Sequence, residues 1–118
     1  MLAGCVRDAR ACPRAGSGFA THNLRAFFSG GGGDARKMVT EFVPWLTRAV
    51  TDASLTPDQR RELLLSYARA PSYRLAHPRE EHLLPVLFAA GAARGSGGKM
   101  IYDKVVDSIS FASYSFDD

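Results

Sequence analysis

The sequence contains little cysteine and histidine, and it has no long apolar run and no long basic run. Its 118 residues include two cysteines, Cys5 and Cys12, and three histidines. Two cysteines are too few for a disulfide framework or a four-ligand zinc ribbon, so we expect reduced thiols in a cytoplasmic protein. Because no apolar run approaches roughly 18 residues, the sequence predicts no membrane span. Because no run of roughly five basic residues occurs, it predicts no nucleic-acid interface.

The composition that remains is typical of one globular domain. Hydrophobic residues make up 46% of the chain and the net charge is +3, which argues against disorder. A chain of 118 residues forms one domain at most. Arginines interrupt every apolar group in residues 1–15, so we predict an irregular N-terminal segment there and a folded domain over residues 16–118.

Two helices are predicted in the first half of that domain. Apolar residues spaced by three or four over residues 35–51 indicate an amphipathic helix, which Pro44 interrupts. Thr56, Pro57 and Gln59 then form the pattern of a capping box with proline in the first turn. A second helix is therefore expected to begin at Pro57.

A third helix and two strands are predicted in the second half. We expect residues 72–76 and His77 to be extended, because the residue before a proline is pushed out of helical geometry. Pro78 is then expected to open a helix that is buried on all sides over residues 83–93, where the sequence is almost wholly apolar. Strands are predicted near residues 100–102 and over residues 109–116.

A group of ionisable residues lies just before the third predicted helix. His77, Glu80, Glu81 and His82 fall within six positions. Neutral imidazole and carboxylate are ligands that suit non-haem Fe(II) and zinc, so a metal-binding role is one interpretation. The alternative is that the carboxylates stabilise a helix N-terminus while the histidines are ordinary polar groups. The spacing alone leaves both open.

The same segment resembles a known enzyme family. The pattern His77-Pro78, Glu81-His82 and Pro85 is similar to class III extradiol ring-cleavage dioxygenases of the DOPA 4,5-dioxygenase type. Three further segments resemble signatures of that branch, in the same order along the chain. They are Gly16-Ser17-Gly18 with His22-Asn23-Leu24-Arg25, then Phe42 with Trp45-Leu46, and the closing segment 109–116.

The resemblance implies a fold, a reaction and roles for three histidines. It implies the C-terminal portion of an α/β fold, with about three helices and a few strands of an incomplete sheet. It implies ring opening of a catechol-type aromatic substrate by O2 at a mononuclear Fe(II), with zinc in some members. His82 matches a metal ligand. His22 matches the acid/base histidine beside the substrate, and His77 matches a further active-site histidine that contacts the substrate or orients its neighbours.

The chain differs from the family in the number of metal ligands that it can supply. The first half of the family, which carries two histidine ligands, has no counterpart here, and all three histidines are already matched. We therefore expect a truncated form that cannot hold iron alone. Two alternatives remain open: a non-catalytic remnant that binds a protein partner through exposed apolar surface, and a separate metal site built from His22, His77 and His82.

Overall fold

The computed structural model describes residues 2–3, 15–16, 20–21, 23, 25, 28, 33–106 and 109–116. Several residues singled out above lie outside the described residues, namely Cys5, Cys12, Ser17, Gly18, His22 and Leu24. Within the described part, no helix is both long enough and apolar enough to span a membrane.

The predicted helix over residues 35–51 is confirmed, but the interruption expected at Pro44 is wrong, because helical residues run without a break from Gly33 to Thr51. Helix α1 (Gly33–Lys37) continues through a π-helical turn (Met38–Phe42) into α2 (Val43–Thr51). Pro44 is the second residue of α2 and so follows the π-helical turn almost directly. The wider π turn directly precedes it, so the helix passes the proline without ending. The buried side of this helix consists of Ala35, Met38, Phe42, Val43, Leu46, Ala49 and Val50.

The predicted capping box is confirmed at the start of α3 (Pro57–Leu65). The backbone N–H of Gln59 donates to the Thr56 hydroxyl at 3.2 Å, and the Gln59 side chain accepts from the Thr56 N–H at 2.9 Å. These two bonds satisfy donors that would otherwise have no partner at the helix start. A 3-10 turn (Tyr67–Arg69) follows α3.

The third predicted helix differs from the structure in three respects. Residues 72–76 were expected to be extended, but the short helix α4 (Tyr73–Ala76) occupies them. Residues 78–83 form bends and turns, so the next helix, α5 (Leu84–Ala92), does not open at Pro78. This helix is not buried on all sides either, since Leu84 is 48% and Phe88 65% exposed.

Proline explains the later start of α5. In a helix that opened at Pro78, Pro85 would lie in the interior, where it lacks a donor and its ring clashes with the carbonyl one turn earlier. In the observed helix Pro85 lies in the first turn, where neither problem arises.

The described strands form antiparallel pairs. Strand β1 (Leu2–Ala3) pairs with β2 (Ala15–Gly16), β3 (Lys99–Tyr102) with β6 (Ser113–Ser115), and β4 (Val105–Val106) with β5 (Ile109–Ser110). The strand predicted near residues 100–102 is confirmed, and the one predicted over residues 109–116 is divided into β5 and β6. Alternate residues of that last segment face the core and are buried: Ser110, Ala112, Tyr114 and Phe116.

Helices and strands share one hydrophobic core, so the predicted mixed α/β class is confirmed. The described strands nevertheless remain separate pairs and do not form one central sheet. The largest fully buried side chains come from the α1–α2 helix, α4, the start of α5 and the C-terminal strand: Phe42, Met38, Leu46, Tyr73, Leu83 and Phe116.

Candidate functional site

His77 is the most deeply buried of the histidines that the structure describes. Its side chain has 0% exposure, and its backbone is extended (φ −132°, ψ 90°), as expected of a residue that precedes proline. The His77 N–H donates to the carbonyl of Tyr73 at 2.7 Å and so closes the last turn of α4. The imidazole therefore points into the core from a fixed helix end.

Two contacts fix the orientation of the His77 ring. Its Nε2 lies 2.8 Å from the carbonyl oxygen of Ala20. Since a carbonyl only accepts, Nε2 carries the proton and donates. The ring also meets the Phe42 ring edge-on, with centroids 5.3 Å apart. His77 thus joins the segment around residue 20 to the π-helical turn.

The residues on either side of His22 are held in place by further hydrogen bonds. The Asn23 side chain donates from Nδ2 to the Leu75 carbonyl at 2.8 Å. The Thr21 hydroxyl, which is fully buried, accepts from the Ser110 N–H at 2.9 Å. Asn23 is therefore anchored to α4, and Thr21 to strand β5.

His82 lies in a different environment. It is exposed, and it belongs to the turn of residues 81–83 before α5, so it does not project from a helix as expected. Glu80, two residues earlier, forms an ion pair with Arg74 at 2.8 Å. A hydrogen bond from its own backbone N–H, followed by the contact with Arg74, lowers the pKa of the Glu80 carboxyl. Glu80 therefore stays ionised as the partner of Arg74.

The described residues do not form a metal site by themselves. Among them, no three His, Cys, Asp or Glu side chains lie close enough together to hold a metal ion. His77 already donates through Nε2 to Ala20, and the histidine matched to a metal ligand, His82, is at the surface. Iron or zinc bound at His82 would therefore need further ligands, either from residues that the structure does not describe or from another polypeptide.

Tyr73 is a neighbour of His77 that the sequence patterns did not single out. It is 1% exposed, and its ring centroid lies 6.3 Å from that of His77. Burial, and next the negative charge of Glu80, raise the pKa of the Tyr73 hydroxyl. The sequence analysis missed it because residues 72–76 were expected to be extended, and a spacing of four brings two side chains to one face only on a helix.

Comparisons with known proteins return no matching family model and no matching curated protein. The resemblance to extradiol dioxygenases therefore rests on the motif residues alone.

Proposed function

We propose that the chain is the C-terminal part of a class III extradiol ring-cleaving dioxygenase acting on a catechol-type aromatic compound with O2. In this proposal His82 contributes one ligand to a non-haem Fe(II) or zinc ion, and His22 and His77 serve the active site. The remaining ligands come from a polypeptide outside residues 1–118.

One observation carries the proposal: residues from the family-like segments meet in space around His77. Ala20 and Thr21 lie in the segment after the glycine turn, Phe42 begins the aromatic segment, and Ser110 belongs to the closing segment. His77 contacts Ala20 across 57 positions, and Thr21 contacts Ser110 across 89. The proposal expects these contacts, because the family's signature segments would line a single site.

The contacts support different roles for the three histidines. His77 is buried and bound to the backbone two residues before His22, which suits a residue that positions its neighbours. His82 is exposed just before α5, where a ligand from another polypeptide can approach. His22 keeps the proton-transfer role implied by the resemblance, because the pKa of imidazole lies near neutral pH.

A fusion protein tests the proposal. Residues 16–118 are joined to the N-terminal half of a DOPA-type extradiol dioxygenase, and iron content and ring opening are measured for single variants. His82→Ala should lose iron and activity together. His22→Ala should keep iron but lose about 10²–10⁴-fold in turnover. His77→Ala should lose roughly 10–100-fold.

Two outcomes would contradict these assignments. If His82→Ala retains full iron while His77→Ala empties the site, the ligand assignment is wrong by one motif position. If all three variants remain active, the resemblance does not describe this site. Ring opening by the 118-residue chain alone with added Fe(II) would show that it needs no ligands from elsewhere.

A second candidate function is favoured by exposed apolar residues: a non-catalytic fragment that binds a protein partner. Large apolar side chains on β3 and β4 are 42–65% exposed, namely Ile101, Tyr102, Val105 and Val106. Exposed apolar side chains mark a partner-binding surface where they form a contiguous patch. This function is favoured over catalysis if the fusion shows neither iron binding nor ring opening and the chain alone forms a stable complex with another protein.

A further inference from the structure

A cleft between α3 and α5 is built from residues that take no part in the site around His77. Its volume is about 380 Å³, within the range of roughly 300–1,000 Å³ typical of small-molecule pockets. The apolar side chains of Leu64, Leu65 and Leu87 line it. Leu65 is 67% exposed, so the cleft leaves apolar surface open to solvent.

Positive charge predominates around this apolar surface. Three arginines line the cleft against one carboxylate, that of Asp58. The guanidinium of Arg60 is buried and donates to backbone carbonyls, so it adds charge without offering a donor to the cleft. Arg61 and Arg94 are exposed, and neither forms an ion pair or side-chain hydrogen bond within the described part of the chain.

Arg94 occupies its position at a conformational cost. Its φ is +54°, the left-handed conformation that glycine normally supplies after a helix. Gly95 follows at φ +84° and packs so closely on α3 that a Cβ there would lie 2.6 Å from the Pro57 Cβ. The Arg60 Nε also donates to the Gly95 carbonyl at 3.2 Å. Arg94 is thus held at the cleft by a fixed loop, in a conformation that disfavours its residue type.

We propose that this cleft binds a small amphipathic carboxylate. Its apolar chain would lie on Leu64, Leu65 and Leu87, and its carboxylate would be bound by Arg61 and Arg94. Guanidinium groups bind carboxylates through paired, charge-assisted hydrogen bonds. The small volume excludes large ligands such as dinucleotides. The occupant is therefore a single short chain or ring with one acidic group.

Calorimetric titration of the 118-residue chain tests the ligand class. The probe is decanoate below its micelle concentration, compared with 1-decanol and acetate. Decanoate should saturate one site. Decanol, which has the chain without the charge, should bind at least about tenfold more weakly, and acetate should not bind measurably. Equal binding of decanol and decanoate, or no saturable binding of decanoate, would overturn the proposal.

Three variants and a control locate the site. Arg94→Gly and Arg61→Gln should each weaken decanoate binding by about tenfold. Arg94→Gly should also raise Tm, because glycine suits the positive φ, so lost binding cannot be attributed to unfolding. Gly91→Leu keeps every charge but places a large side chain at the cleft, and it should abolish binding. A Cβ at Gly91 meets no atom within 4 Å, so the new side chain starts in open space, and an unchanged Tm would show that the fold is retained.

The matched control is Arg36→Gln, which removes one exposed arginine outside the cleft. It should leave the affinity for decanoate unchanged. If Arg36→Gln weakens binding as much as Arg94→Gly does, the attraction is general electrostatics and the site is wrong. If Gly91→Leu binds normally, the ligand does not occupy the cleft.

Discussion

His77 donates from Nε2 to the carbonyl oxygen of Ala20 at 2.8 Å, across 57 residues of sequence. The bond holds the His-Pro segment against the segment that follows the glycine turn. Both groups are buried, and a buried carbonyl or imidazole without a partner is costly. The contact is therefore part of the core as well as of the candidate site.

Replacing His77 should destabilise the fold much more than replacing His82. His77→Ala removes a fully buried ring and leaves the Ala20 carbonyl without its donor, so we expect a loss of about 2–4 kcal/mol in unfolding free energy. His82→Ala, at an exposed position in the same motif, should change it by less than about 0.5 kcal/mol. Urea denaturation of both variants measures the difference. Equal effects would show that His77 is not packed as described.

Arg60 should be essential for stability through its contacts with the end of α2. Its guanidinium donates to the carbonyls of Ala49 and Val50, both at 2.8 Å, and to those of Asp52 at 2.6 Å and Gly95 at 3.2 Å. Carbonyls at a helix C-terminus have no partner within the helix, and the negative end of the helix dipole favours a cation there.

We expect Arg60→Leu to cost about 2–4 kcal/mol in unfolding free energy, because all four carbonyls lose the guanidinium donor and those of Val50 and Asp52 keep only the backbone N–H of Gly98 and Leu55. Arg60→Lys should recover little, since an ammonium cannot present the same planar set of donors. Arg61→Lys, at the exposed neighbouring position, is the control and should have no measurable effect. A lysine at position 60 that restored full stability would contradict the role assigned to the guanidinium fork.

Two glycines should respond to alanine in opposite directions. Gly91 lies in α5 with nothing within 4 Å of a Cβ, so Gly91→Ala should stabilise the protein by about 0.5–1 kcal/mol through helix propensity. A Cβ at Gly98 would lie 2.8 Å from the Ser115 carbonyl oxygen and 2.8 Å from Val50 Cγ1. Gly98→Ala should therefore lower Tm, since backbone of β6 would have to move. Thermal unfolding of the two variants measures these effects, and Tm shifts of the same sign would contradict the packing described at Gly91 or at Gly98.

Local signals were sufficient for much of the fold. The capping box at Thr56 and Gln59 involves residues three apart, so the sequence alone specifies that helix start. The start of α5 could also be predicted from the sequence. A proline is disfavoured in the interior of a helix, so Pro85 must lie in a first turn, which rules out a helix that opens at Pro78. A helix opening at Pro78 takes account of only one of these two prolines. The exposure of Phe88 could not be predicted, because a run of apolar residues does not distinguish a buried face of the helix from an exposed one.

The candidate site was predictable in part. The residue before a proline was expected to be extended, and His77 is. Its burial against Ala20 and Phe42 follows from partners 57 and 35 positions away, which no local pattern specifies. The roles of His22, His77 and His82 in catalysis and metal binding remain predictions from the resemblance.

The buried hydroxyl of Tyr114 should make the fold less stable at alkaline pH. This hydroxyl lies 2.8 Å from that of Thr47, joining β6 to α2. Burial raises its pKa above the ordinary value of 10.0, the Thr47 hydrogen bond opposes this, and the negative charge of Asp103 adds to the rise. Below pH 10.0 the phenol is protonated in both the folded and the unfolded chain, so its contribution to stability is fully present. As the pH rises further, the unfolded chain releases its proton first, and the folding free energy is lost.

We therefore expect unfolding free energy, measured by urea denaturation from neutral pH to about pH 11, to fall above the ordinary tyrosine pKa. Tyr114→Phe should cost about 0.5–1.5 kcal/mol at neutral pH, because the bond to Thr47 is lost. The substitution should also make the decrease in unfolding free energy at alkaline pH smaller. The decrease that remains is due to Tyr73, whose pKa is raised too. Tyr102→Phe, at a position 51% exposed, is the control for the loss of one tyrosine hydroxyl. If Tyr114→Phe and Tyr102→Phe give the same pH profile as the unmodified chain, Tyr114 does not keep its proton in the folded state.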